Sequence, residues 1–157
     1  MVEPVSTGPH TFLEVLRETV IRTAWFLFFG FLLNGNWEWL QTPFYDDGPV
    51  GLNTVVWYRL HCTLVDVVIL LGCAAVVSVA VRGTGWLARP GRRHMAALAL
   101  MGTAYTAISE QINVGVNAAW GYSSLMPVIP GTSIGVVPLL QWLLLPPLAL
   151  WLAGRQR

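Results

Sequence analysis

The chain has 157 residues, of which 55% are hydrophobic and only 11% charged, with a formal net charge of +1 and a mean hydropathy of +0.59. Soluble domains carry about 25% charged residues, so this supply is too sparse to coat a water-facing surface. The composition excludes an ordinary soluble enzyme, a disordered chain and a nucleic-acid binder. What remains is an all-α polytopic membrane protein, read as one domain over residues 1–157.

Residues 1–22 contain Glu3, Glu14, Glu18, Arg17 and Arg22, and no small-x-small cleavage site follows the apolar run, so they do not read as a signal peptide. Thr11 and Glu14 have capping-box spacing, and Phe12, Val15, Leu16 and Val20 recur at helical spacing. Residues 11–22 therefore read as an interfacial helix able to run straight into the first span. A bilayer helix needs about 20 mostly apolar residues. Four segments qualify, 23–41, 57–81, 95–120 and 136–152, which predicts a four-transmembrane-helix bundle with no internal repeat. In loop 42–56, Asp46, Asp47, Gly48 and Pro49 are turn formers. Loop 121–135 is apolar for an exposed connection. It either covers a cavity at interface depth, where non-helical backbone must be sheltered, or forms a packed hairpin.

The basic residues, all arginine, orient the bundle. Arg82, Arg89, Arg92 and Arg93 lie in the loop between spans two and three, Arg17 and Arg22 near the N-terminus, and Arg155 and Arg157 at the C-terminus. Apart from Arg59 at the start of span two, the other loops hold none. Both termini and loop 82–94 are thus expected on the cytoplasmic side of a multi-pass protein of the bacterial inner (plasma) membrane. Cys62 and Cys73 are eleven residues apart on one helix, about 16 Å of rise, too far to pair.

Ionisable groups within spans are costly and usually face the bundle interior. Glu38, Asp66 and Glu110 lie within spans. Asn34, Glu38 and Gln41 share one face of span one, with Trp37 beside them. On span three, Glu110, Asn113, Asn117 and Trp120 follow at i, i+3, i+7 and i+10, with Thr103 and Thr106 extending the stripe. Tyr58, Cys62 and Asp66 align on span two near His61, and Gln141 and Trp142 open span four. With a rise of about 1.5 Å per residue, these groups sit between the outer boundary and the midplane. They converge on one outward-opening polar, acidic cavity, which four helices suffice to enclose. A buried carboxyl is costly in its charged form, and a neutral carboxylic acid can donate a proton. The plain structural alternative is a hydrogen-bonded network that holds helices together. A metal held by Glu38, His61, Asp66 and Glu110 is a minor alternative, and the chain is read as needing no metal.

Asn34-Gly35-Asn36-Trp37-Glu38 reads N-x-x-W-E near the outer end of a span. It resembles a motif of the integral-membrane terpene cyclases of meroterpenoid pathways. That resemblance implies Glu38 as proton donor, with Asp66 or Glu110 as its counterpart. The expected architecture also resembles the four-span sterol-isomerase-like family that includes the sigma-2 receptor. There, a His and acids move a double bond through a cation flanked by Trp, which implies His61 as a fourth catalytic group.

Three functions compete. The first is an enzyme or binding protein for a lipophilic small molecule, isoprenoid or sterol-like. It would use Glu38, Asp66, Glu110 and His61 for acid–base isomerisation or cyclisation. Asn34, Trp37, Gln41, Tyr58, Asn113, Asn117, Trp120, Gln141 and Trp142 would line the substrate site. It needs no cofactor, and the chain has no nucleotide loop, Ser nucleophile motif or Asp-rich diphosphate motif. The second is a small proton-coupled transporter, which requires a continuous polar route. The third is an accessory subunit of a membrane complex. Expected partners are the small molecule, membrane lipids and, as a homo-oligomer, a second copy of the chain, but no nucleic acid.

Overall fold

Apolar runs without interior breakers become long helices here. The computed structural model describes residues 12–46, 48–87 and 89–156. Among these are four α-helices: α1 (Phe12–Leu40), α2 (Leu52–Ala80), α3 (Arg92–Asn113) and α4 (Val136–Gly154). Short 3-10 turns at Thr42–Phe44 and Gly85–Leu87 and two-residue strands β1 (Tyr45–Asp46) and β2 (Gly121–Tyr122) lie between them. α2 and α4 are long and apolar enough to cross a membrane. Asn34, Asn36 and Glu38 dilute the apolar character of α1, and Arg92, Arg93, Glu110 and Asn113 that of α3. The proposed capping residue Thr11, the turn residue Asp47 and the terminal Arg157 lie outside the described residues.

The segments read from the sequence as an interfacial helix and a first span fall in one unbroken helix, α1. α2 starts at Leu52 rather than Trp57, because Gly51 supplies an extended N-cap and nothing from Leu52 to Val56 interrupts the helix. α3 ends at Asn113, short of the expected Trp120. The Asn117 N–H donates to Ile112 O at 2.8 Å, a six-residue closure that terminates helices. Ala118 follows with φ of 47°. Asn117 and Trp120 therefore leave the helical face on which their spacing placed them.

The helices form a ring in which α1 packs on α2 and α4, α3 packs on α4, and α2 and α3 meet least closely. At one end, the Arg22 guanidinium donates to Gln156 O and, at 3.5 Å, to Ala153 O. Thr19 Oγ1 lies 3.1 Å from Thr84 Oγ1. These contacts gather the start of α1, the end of α4 and the α2–α3 connection. At the other end, Tyr45 pairs with Tyr122 and Asp46 with Gly121 in an antiparallel ladder. Ser123 fastens it, its N–H donating to Phe44 O (3.0 Å) and its hydroxyl to Pro43 O (2.7 Å). Loop 121–135 is packed as a hairpin: Val128 bridges Gly135, the Gly135 N–H donates to the Tyr122 hydroxyl (2.9 Å), and Met126 is buried.

Apolar packing fills the arginine-rich half. Phe26, Leu70, Leu98 and Leu150 are completely or almost completely buried there, with Trp86 and Leu87 from the α2–α3 connection. Nearer the middle, Trp142 lies flat against Gly102, where a Cβ would sit 2.0 Å from Trp142 Cε3. Overpacking of this kind costs about 1–3 kcal/mol. Gly102→Ala is expected to lower the thermal midpoint of the detergent-solubilised protein, whereas Gly72→Ala, which meets open space, leaves it unchanged or slightly raised. Equal midpoints for the two variants would mean that Trp142 is not held against α3.

Candidate binding and active site

Amide side chains need partners when buried, and Gln141 finds two on different helices. From the second turn of α4, its Nε2 donates to Asn34 Oδ1 on α1 (2.9 Å) and to Asp66 Oδ2 on α2 (2.8 Å). Asn34 in turn donates to Gly30 O (2.8 Å). One amide thus fixes three helices at the depth where Asp66 faces the interior.

A second group forms one turn further out. Glu38 and Arg59 are both buried, with Glu38 Oε2 3.7 Å from the nearest Arg59 nitrogen. Gln41 Nε2 donates to Glu38 Oε1 (2.6 Å), and the Trp37 indole donates to Gln41 Oε1 (3.1 Å). The Arg59 guanidinium lies over the Tyr45 ring, 5.4 Å from its centroid. A cation over an aromatic face is attracted by the ring quadrupole. Burial, reinforced by the nearby acids Glu110 and Glu38, pushes the Tyr45 phenol well above its ordinary range. Tyr45 therefore keeps its proton at physiological pH.

Glu110 on α3 completes the acidic set. It is 5% exposed, and its Oε2 has no hydrogen-bond partner. Trp120 and the Gly135 backbone neighbour it. Glu38, Asp66 and Glu110 all line one cavity of about 520 Å³, within the range of about 300–1,000 Å³ usual for small-molecule sites. α2 contributes Tyr58, Arg59, His61, Cys62, Val65 and Ile69 to its walls, and α3 contributes Tyr105, Thr106 and Ser109. Gln41, Tyr45, Trp120, Pro138, Gln141 and Trp142 close the remainder.

The structure thus brings together Glu38, Asp66, Glu110, His61, Gln41, Tyr58, Trp120, Gln141 and Trp142 from the residues singled out by sequence. Asn34 and Trp37 do not line the cavity; they hold Gln141 and Gln41. Asn113 and Asn117 stand apart from that group. Asn113 Nδ2 donates to Ser109 O (2.9 Å), Asn117 Nδ2 donates to Asn113 Oδ1 (3.4 Å), and neither Asn lines the cavity. The face of α3 that does so is offset by one turn, at Tyr105, Thr106, Ser109 and Glu110. No three His, Cys, Asp or Glu among the described residues are arranged to hold a metal ion.

Arg59 is the residue that sequence reasoning misplaced, because an arginine near a span end reads as a boundary marker. Its signal was present: Arg59, Cys62 and Asp66 follow at i, i+3 and i+7, so an arginine shares the acid's face. Tyr45 was missed because it lies in a loop that becomes a wall only through β1–β2 pairing.

No protein-family model, curated protein or solved structure matches this chain.

Proposed function

We propose that this chain is a four-span membrane protein that binds a lipophilic small molecule, isoprenoid or sterol-like, and shifts or closes its double bonds by acid–base chemistry. The single observation that carries this reading is the convergence of three carboxyls, from three helices, on one aromatic-walled cavity. The described arginines at the chain ends and the α2–α3 connection support a cytoplasmic location for that end, with β1 and β2 on the opposite side.

The three acids have different surroundings, and these suggest their roles. Glu38 is tied to Arg59 and Gln41, which commits it to a structural charge pair. Glu110 lines the cavity beside Trp120 and is the proton donor. Protonation of a carbon–carbon double bond leaves a carbocation, which the faces of Trp120, Trp142 and Tyr58 are placed to stabilise. Asp66, oriented by Gln141, takes a proton from the neighbouring carbon. One proton enters and one leaves, so the products are isomers of the substrate and no redox partner is required. His61 lies at the exposed edge, where it can return protons between turnovers.

The apolar packing of the arginine-rich half weighs against a transport route: Phe26, Leu70, Leu98 and Leu150 occupy the path that a transported ion would need. Purification in mild detergent, followed by mass spectrometry of co-extracted small molecules, tests the binding reading. A stoichiometric isoprenoid or sterol-like compound, isomerised on incubation with fresh protein, is the expected result. Only bulk phospholipid, with no turnover of any isoprenoid or sterol offered, would overturn it.

A further inference from the structure

We infer that the ligand is an amphiphile with one hydrogen-bonding headgroup, which slides into the cavity sideways, from the membrane, between α2 and α3. This inference rests on the membrane placement and cavity of the proposed function, but not on its catalytic step.

Three of the four seams of the helix ring are closed by named contacts. Between α1 and α2, Gly30 and Gly35 bring the backbone close to Leu70 and Thr63, so that a Cβ would lie 2.5 Å and 3.5 Å from those side chains. Gln141 bonds to Asn34 between α4 and α1. Trp142 packs on Gly102 between α4 and α3. The outer end is bound by β1–β2 pairing and Ser123, and the other end is filled by apolar packing. The fourth seam differs. α2 and α3 are the least closely packed neighbours, and the cavity residues along them are open: Tyr58 is 45%, Val65 39% and Tyr105 49% exposed. The sides of this slot are apolar and aromatic, which suits a hydrocarbon tail rather than an ion.

The headgroup follows from Glu110. Its Oε2 is buried and unpartnered at the cavity wall, and a buried polar oxygen without a partner is costly. A hydroxyl on the ligand satisfies it by donating a hydrogen bond. A purely hydrocarbon ligand would leave it unsatisfied, and a bulky charged headgroup would have to cross the apolar slot.

The test uses the full-length protein in phospholipid vesicles containing a long-chain alcohol with a photoreactive diazirine in its tail. The matched diazirine alkane serves as control. After illumination, peptide mass spectrometry should find the alcohol's label on Val65, Ile69 and Tyr105, and excess unlabelled alcohol should remove most of it. The alkane should mark the lipid-facing surface evenly and resist competition. Val65→Trp, which fills the slot, and Glu110→Leu, which removes the headgroup's partner, should each abolish the competed label, with folding checked by far-UV circular dichroism. Even labelling by the alcohol, or label unaffected by competitor, would overturn the inference. So would equal slot labelling in folded Val65→Trp. Slot labelling without turnover of any isoprenoid or sterol would remove the catalytic reading and leave this one intact. Turnover without slot labelling would do the reverse.

Discussion

Arg59→Met is expected to destabilise the protein by about 3–5 kcal/mol, the usual cost of removing one partner from a buried ion pair. Arg59 and Glu38 are each 5% exposed at the side chain and sit 3.7 Å apart, so the carboxyl that remains has little water to replace the lost cation. Arg59 also covers the Tyr45 ring, and its stem packs among the cavity walls. Glu38→Gln should also be costly, because it removes the Arg59–Glu38 ion pair from a buried setting. The two changes together should recover most of the loss, since replacing a whole buried pair by neutral groups is often neutral or stabilising. Equilibrium unfolding of the four proteins in mixed micelles gives the coupling directly. A coupling below about 0.5 kcal/mol would show that the pair is screened and contributes little.

That buried pair also marks the boundary of what the sequence discloses. Periodicity placed α4 well, because an apolar run bounded by Gly135 and Gly154 leaves few alternatives. It placed Glu38, Asp66, Gln141 and Glu110 on interior faces, because an ionisable or amide group in an apolar helix has few affordable orientations. It failed beyond Asn113. A polar stripe continues in the sequence to Trp120, but the closure of Asn117 on Ile112 depends on backbone geometry that side-chain spacing does not carry. Trp120 reaches the cavity all the same, from a loop rather than from a helix. Arg59 failed for a different reason. Its partner lies on another helix, and only packing of α1 on α2 shows that the cation turns inward to Glu38. Tyr45 likewise needed the pairing of two distant loops. What spacing resolves is the face of each helix. Which faces meet, and which loops close over them, comes from long-range packing.

Glu110→Gln is expected to reduce turnover by about 10²–10⁴-fold, the range typical for loss of a positioned general acid. At about 1.36 kcal/mol per tenfold, that corresponds to about 3–5 kcal/mol of lost transition-state stabilisation. The substitution keeps the shape of the side chain and leaves an oxygen for a ligand hydroxyl, so binding of the co-extracted ligand should persist. Stability should change little, because Gln keeps an oxygen for the Trp120 and Gly135 contacts and Glu110 Oε2 has no hydrogen-bond partner to lose. This combination separates Glu110 from Glu38, whose replacement unsettles the fold as well as the site. It also separates the acid from the base. Asp66→Asn should retain the Gln141 contact through its side-chain oxygen and still lose turnover, because an amide cannot accept the departing proton. Single-turnover measurements on each variant, with ligand binding determined in parallel, decide the matter. Normal turnover in Glu110→Gln beside inactive but folded Asp66→Asn would move the proton donor to Asp66. Normal turnover in both would leave the cavity a binding site without this chemistry.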